Sequence, residues 1–300
     1  MIKIAFSDKY LYQLPEGHRF PISKYELLKD QLLYEGTISE DQLFDPGLCA
    51  EEAIVQVHSK KYFNDLLNQN LSLKEVRRIG LPINSVSVNR ARNTSAGTLE
   101  ASVNALKVGI GLNIGGGTHH AYETHGEGFC ILNDIAIAAK FLLDHNLASK
   151  ILIVDLDVHQ GNGTAVIFAE DQRVFTFSMH GQDNYPLKKE KSDLDIPLAN
   201  KTGDELYLKL LKENLNKVID SFYPDIVFYQ AGVDVLEADM LGKLALTKSG
   251  CQKRDELLIE ACYLKQIPLV VTMGGGYSAR VSDIVDAHAN TFRKTLEIFG

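Results

Sequence analysis

The sequence predicts an α/β protein: a single open, mostly parallel sheet with helices on both faces. Three observations predict it. Short apolar runs bounded by turn residues alternate with longer stretches of helical period. Several of those runs are β-branched or aromatic nearly throughout, as strands buried on both faces are. Four of them are followed at once by a polar, glycine-containing cluster, the position of ligand loops at the carboxyl edge of a parallel sheet. The 300 residues, 45% hydrophobic and 23% charged, exclude a disordered or fibrous chain. A chain of this size buries about 75% of its unfolded surface, enough for a core without cross-links.

In chain order, the expected strands are residues 2–6, 111–114, 150–154, 174–177, 225–229 and 268–273. Helical period runs over 95–108, 133–143, 204–221, 247–263 and 278–299. Residues 10–21, with Pro, Gly and His, and the charged stretch 188–195 read as long surface loops placed to border a site. There is no internal repeat, low-complexity tract or Pro/Gly/Ser linker, so residues 1–300 read as a single domain. The start, MIKIAFSDKY, lacks the apolar stretch of a signal peptide, and no run of about 18 apolar residues predicts a membrane span. Cys49, Cys130, Cys251 and Cys262 are scattered without a CxxC pair, the usage of free thiols in a reducing compartment, so the expected location is cytoplasmic. A net charge of −8 argues against a nucleic-acid partner, because that affinity comes mainly from Lys and Arg displacing counterions.

The four clusters carry the chemistry. Gly115-Gly116-Gly117-Thr118-His119-His120 follows the strand 111–114, and Asp155-Leu156-Asp157-Val158-His159-Gln160-Gly161-Asn162 follows 150–154. Gln230-Ala231-Gly232-Val233-Asp234 follows 225–229, and Gly274-Gly275-Gly276-Tyr277 follows 268–273. In an open parallel sheet these ends share one edge, so segments distant in sequence meet there. Asp155, Asp157 and His159 are spaced by two, which on extended backbone points all three to one side, with Asp234 arriving from another strand. One His and two Asp with a position left open is the donor set of a catalytic zinc. Taken singly, Asp155 can equally cap a helix or pair with a core histidine, and Asp234 can be a turn residue.

Adjacent His119 and His120 after a glycine turn need polar partners, and one imidazole bonded to an aspartate is a plausible general base. Tyr277 follows a second glycine triplet, where missing side chains allow close backbone approach, and its hydroxyl can donate to a developing oxyanion; alone, such a tyrosine is usually packing. Two competing motifs are weaker. Residues 274–279 satisfy a Gly-x-Gly-x-x-Ala dinucleotide pattern, but on the last strand, with no strand-terminal acidic residue about 20 positions on. Cys130 with His120 or His125 as base would make a thiol nucleophile, though a small buried hydrophobe is the commoner role.

The stretches IGGGTHHA, GEGFCILND, VDLDVHQGNGT, YQAGVDVLEADMLGKLALT and VTMGGGYS occur in that order from about residue 90 to the end. In them the sequence resembles the zinc-dependent histone deacetylase superfamily, of arginase/deacetylase fold, and most closely its class IV branch and the bacterial deacetylase-like proteins. LPEGHRFPISKY is similar to the family's amino-terminal loop, with Lys24 where many members have arginine. The resemblance implies zinc bound by Asp157, His159 and Asp234, His120 as general base and later acid, His119 as its electrostatic companion, and Tyr277 polarising the scissile carbonyl. It implies a narrow acyl-lysine tunnel at Gly128, Phe129 and Tyr185, the last where most relatives have Phe. It also implies that Asp155 pairs with His119 and contributes, near Ser178, to a structural monovalent-cation (K⁺) site. Asn162 stands where classes I and II carry an aspartate; a neutral acceptor stabilises imidazolium less, so His120 should be a weaker base here.

The activity so implied is hydrolysis of an acylated lysine, acetyl or longer, on a protein, a peptide or a small amine. The rivals are an acetylpolyamine or other small-amide hydrolase, a binuclear manganese ureohydrolase, and a non-catalytic acyl-lysine binding module. The ureohydrolase needs a further carboxylate where this chain has Gly232, and the binding module has no use for an intact set of His120, Tyr277 and three ligand candidates.

Overall fold

Residues 151–155, ILIVD, are buried at every position, and so are residues 226–230, IVFYQ, which is why both form central strands rather than half-exposed ones. The computed structural model describes residues 2–300. Its strands are β1 (Ile4–Ala5), β2 (Leu43–Phe44), β3 (Ile110–Asn113), β4 (Ile151–Asp155), β5 (Val174–Gly181), β6 (Leu194–Leu198), β7 (Ile226–Gln230) and β8 (Leu269–Thr272). Its helices are α1 (Lys24–Tyr34), α2 (Glu51–Ile54), α3 (Lys60–Leu67), α4 (Leu73–Ile79), α5 (Ser85–Val108), α6 (Asp134–Asp144), α7 (Asn162–Ile167), α8 (Asp204–Phe222), α9 (Lys248–Leu264) and α10 (Val281–Phe299).

The eight strands form one sheet in the order β2-β1-β3-β8-β7-β4-β5-β6. Every pairing is parallel, so the expected mostly parallel sheet is entirely so. Right-handed crossovers then dictate which face each helix covers. Connections running towards β2 place α1, α8 and α9 on one face, where α10 packs between α1 and α9; those running towards β6 place α5, α6 and α7 on the other. The core fills the two layers between sheet and helices.

Three expectations shift. The edge strands β2 and β6 were not foreseen: β2 is two residues long, below what periodicity reads, and β6, LDIPL, carries Pro197 and takes over the end of the expected loop 188–195. An edge strand tolerates proline because its outer N–H has no ladder partner to lose. Helix α5 starts at Ser85 rather than residue 95, since Asn84 caps it by accepting from Ser87 N at 3.0 Å. Its first turns, rich in Ser and Asn, are held by tertiary bonds such as Arg90 Nε to Tyr10 O at 2.8 Å. Helices α1 to α4 were also missed; α2, α3 and α4 run four to eight residues, too short to nucleate alone and stabilised by burying side chains such as Ile54, Tyr62, Phe63 and Ile79.

Candidate active site

The four strands that carry the polar clusters are consecutive neighbours, β3-β8-β7-β4, in the middle of the sheet. Their carboxyl ends therefore abut, although β3 and β8 are more than 150 residues apart in sequence. The turn after β3 is fixed by Asp134, whose carboxylate accepts from Gly117 N at 3.0 Å and Thr118 N at 2.7 Å. Gly117 has φ +79°, and a Cβ there would lie 2.7 Å from the backbone of Gly274. The two glycine triplets thus pack main chain on main chain, which no side chain would permit.

Asp157, His159 and Asp234 each present one donor atom within 4.8 Å of the others, and all three are buried. His159 Nδ1 lies 3.1 Å from Asp157 Oδ1 and 3.0 Å from Asp234 Oδ2. The outer oxygens are occupied by main chain: Gly275 N donates to Asp157 Oδ2 at 2.7 Å and Val158 N to Asp234 Oδ1 at 2.9 Å. Burial and then the neighbouring Asp157 charge raise Asp234 to about 7. Burial opposes charge on His159, yet its bonds to Asp157 and Asp234 raise it to about 10. Both shifts have one cause, two buried carboxylates side by side that draw in a cation. The three atoms fit a divalent metal with nitrogen and oxygen donors.

Asp155 does not point to the same side as Asp157 and His159. Strand β4 ends at Asp155, so the alternation that would aim it alongside Asp157 and His159 stops there. Its Oδ2 instead meets His119 Nδ1 at 2.6 Å. Burial works against a charge on His119, but Asp155 and Asp157 prevail and raise it to about 9. Ser178 is the register partner of Asp155 on β5.

The His119 and His120 rings lie against each other, tilted by 46°, with centroids 4.1 Å apart. His120 Nδ1 meets Asn162 Oδ1 at 2.6 Å, and Asn162 Nδ2 donates to Glu127 Oε1 at 2.7 Å. Burial, then the charges of His119 and His159, push His120 well below its ordinary value, with Asn162 opposing. Tyr277 is buried, its ring 6.3 Å from that of His159. Burial, then the Asp234 and Asp157 charges, raise its phenol well above the usual range, so it stays an O–H donor. A cleft of about 400 Å³ leads in past Tyr185, Phe129 and Gly128 to His120, His159 and Tyr277. Tyr185, on the outer wall, sits 5.1 Å from the His120 ring and donates its hydroxyl to Glu127 at 2.7 Å.

A histone deacetylase domain model matches residues 18–292. The chain belongs to the histone deacetylase family. It is 41% identical over 296 residues to an uncharacterized protein of Picosynechococcus, covering 99% of both chains. It is 31% identical to histone deacetylase 2 of Arabidopsis thaliana, over 98% of this chain and 80% of that one. It is also 31% identical to the acetoin utilization protein AcuC of Staphylococcus aureus, over 81% and 68%. A histone deacetylase homolog from Aquifex aeolicus superposes with a TM-score of 0.82, covering 99% of this chain and 84% of that one, at 22% identity.

The sequence assigns no role to several residues that support this deacetylase frame. Arg254, fully buried, donates from Nη1 to the carbonyls of Leu156, at 3.2 Å, and Gly232, bracing the backbones that carry Asp157 and Asp234. Asp239 accepts from Tyr277 N at 2.6 Å, and Gln230 Nε2 donates to Gly117 O at 2.7 Å. Phe20, from the expected loop 10–21, packs on Phe129 and Tyr277 with centroids 5.6 and 6.4 Å away. Lys24 is buried beneath the second glycine triplet and donates to Gly274 O at 2.8 Å. Asp134, Gln230 and Asp239 lie inside the quoted motifs, the only signal available for them; Arg254 acts over distances no local pattern encodes. Cys130 is buried, its Sγ 3.5 Å from Gly128 O, and burial pushes its thiol far up, the opposite of an activated nucleophile. All four cysteines are buried and unpaired. The loop after β8 spends Gly275 N on Asp157, so it does not form a free phosphate cradle. No helix among the described residues is long and apolar enough to cross a membrane.

Proposed function

We propose that this histone deacetylase family member is a zinc-dependent hydrolase that removes an acyl group from lysine side chains, with residues 1–300 acting as one catalytic domain. The observation that carries the reading is the convergence of three buried donor atoms from two strand ends, Asp157 Oδ1, Asp234 Oδ2 and His159 Nδ1, within 4.8 Å of one another. Those three residues hold the ion. Bound zinc supplies Lewis acidity towards the acyl carbonyl and lowers the pKa of water from 15.7 to about 7. A second metal is disfavoured because a Cβ on Gly232 would run into Asp157, leaving no room for the bridging carboxylate of a ureohydrolase.

The chain's own groups do the rest. His120 takes a proton from water as the water oxygen attacks the amide carbon, and later returns it to the departing lysine nitrogen as the C–N bond breaks. His119, cationic through Asp155, is the electrostatic companion, and Asn162 orients His120. The Tyr277 hydroxyl donates to the carbonyl oxygen as it gains negative charge. Gly128, Phe129 and Tyr185 wall the tunnel that excludes water around the acyl-lysine. The products are free lysine and a carboxylic acid. In the same reading Asp155 and Ser178, register partners on β4 and β5, contribute to a structural K⁺ site.

The test is acid release from acetyl- and longer acyl-lysine peptides by zinc-loaded protein; none released overturns the reading. Tyr277→Phe should keep its zinc and lose two or more orders in kcat, the scale of one oxyanion donor. An unaltered rate removes Tyr277 from the mechanism.

A further inference from the structure

The mouth of the cleft is basic on a protein of net charge −8. Four exposed cations line it from three separate segments. Arg19 comes from the loop before α1, Arg77 and Arg78 from the last turn of α4, and Lys243 from the loop between β7 and α9. Among the described residues Asp183 is the one carboxylate lining the same cleft, one negative charge against four positive ones; its Oδ2 accepts from Asn200 Nδ2 at 2.9 Å, and Lys243 Nζ is held at this rim by donating to the Asp183 main-chain carbonyl at 2.7 Å. Elsewhere the chain pairs its arginines: Arg92, Arg173, Arg254, Arg280 and Arg293 each lie within 4.0 Å of a carboxylate. Arg90, buried, is spent on Tyr10 O at 2.8 Å. Among the described residues, the arginines without a partner that face solvent are Arg19, Arg77 and Arg78 at this mouth.

A helix C-terminus favours cations, which accounts for Arg77 and Arg78 as helix stabilisers. It accounts for neither Arg19 nor Lys243, which converge on the same opening from loops. A ring of like charge costs self-repulsion unless an opposite charge visits it. The tunnel behind the mouth is walled by Phe129, Tyr185 and Tyr277, so the acyl-lysine itself lies beyond reach of the rim, and what faces the rim is whatever flanks that lysine.

We infer that the substrate is an acyl-lysine flanked by carboxylates, on an acidic peptide or protein surface, recognised by Arg19, Arg77, Arg78 and Lys243. This rests on the deacylase reading. It separates the alternatives the sequence left open: a basic tail or a polyamine, itself a polycation, meets like charge at this entrance. Rim charges act through encounter and ground-state binding, so the preference appears in KM and kcat/KM rather than in kcat. It fades as the screening length shrinks from about 10 Å at 0.1 M salt to about 3 Å at 1 M.

Three acetyl-lysine peptides of equal length, with two Glu, two Gln or two Lys on each side, test it with zinc-loaded protein at low and high salt. The Glu peptide should exceed the Lys peptide at least tenfold in kcat/KM at low salt, the Gln peptide falling between, and the spread should narrow severalfold at 0.5 M salt. In the variant R19E/R77E/R78E/K243E the order should invert. Equal kcat/KM for all three, a preference for Lys, or an order unmoved by the charge reversal each overturns the inference. If no peptide is cleaved, the deacylase reading fails instead. Fluorescence anisotropy with the same peptides then still reads the rim: tightest binding of the Glu peptide sustains the charge preference, and equal affinities overturn it. The wild-type salt series stands independently should the quadruple variant fold poorly.

Discussion

The floor of the cleft and its mouth are built by opposite rules. On the floor, Asp157, Asp234, His119 and His120 are buried, come from the ends of central strands, and have their hydrogen bonds assigned within the chain. At the mouth, Arg19, Arg77, Arg78 and Lys243 are exposed, come from loops and a short helix, and meet no carboxylate. A buried charge without a partner is expensive, so the floor admits one geometry; an exposed charge costs little, so the mouth is free to be shaped by what approaches it. The floor sets which bond is broken, and the mouth sets which molecule presents it.

Removing a ligand should produce the largest effect and breaks the floor without touching the mouth. Asp234→Ala deletes one of three donors and should abolish stoichiometric zinc and lower activity by about three orders or more, with peptide binding at the rim retained. Metal analysis checks it: zinc still bound one to one would show that the ligand set is wrong.

Between floor and mouth runs the segment 121–133, which carries Gly128 and Phe129 and is pinned at both ends by one buried imidazole. His58 Nδ1 donates to Tyr122 O at 2.9 Å while its Nε2 accepts from Asn133 N at 3.0 Å, an arrangement only the neutral ring can make. Burial lowers His58 to about 4, from an ordinary value of 6.5. Between those values the unfolded chain binds a proton that the folded one refuses, so stability falls as pH falls through the window and levels off below about 4. At about 1.4 kcal/mol per pKa unit this contributes roughly 3 kcal/mol. Urea unfolding at pH 7 and pH 4.5 measures it, and equal stabilities would show that His58 does not hold the segment in its neutral form.

The contrast also explains what could be read from residues alone. The four strand-end clusters were legible because strongly apolar runs end in glycine turns and because Asp, His and Tyr at such ends have few other uses. That β3 sits beside β8 was not legible, since chain order does not give neighbour order; nor was the work of Arg254 on Leu156 O, 98 residues away, or of Gln230 on Gly117 O, 113 residues away. Asp155 was aimed wrongly because the strand ends one residue before alternation would have mattered. Arg77 and Arg78 lie in a seven-residue helix too short to stand alone, and no local pattern places it beside the cleft, so the basic mouth is a product of tertiary packing.

The smallest predicted effect lies where the two regions touch. A neutral Asn162 beside His120 implies a weaker base than an aspartate would give, yet its amide does not end the chain of bonds. Asn162 Nδ2 donates to Glu127 Oε1 at 2.7 Å, and Tyr185, on the outer wall, donates to the same oxygen at 2.7 Å. A carboxylate accepting from the Asn162 amide polarises it and makes Asn162 Oδ1 a better acceptor for the His120 N–H. Glu127→Gln keeps an acceptor oxygen but removes the charge, so kcat should fall by about 1 kcal/mol, roughly fivefold, while bound zinc stays stoichiometric. Asn162→Asp should then gain activity only in the Glu127→Gln background, because in the native chain its new carboxylate would face that of Glu127 across a single hydrogen-bond distance. Equal kcat for Glu127→Gln and the parent would mean that the base is tuned by Asn162 alone, and that floor and mouth are independent after all.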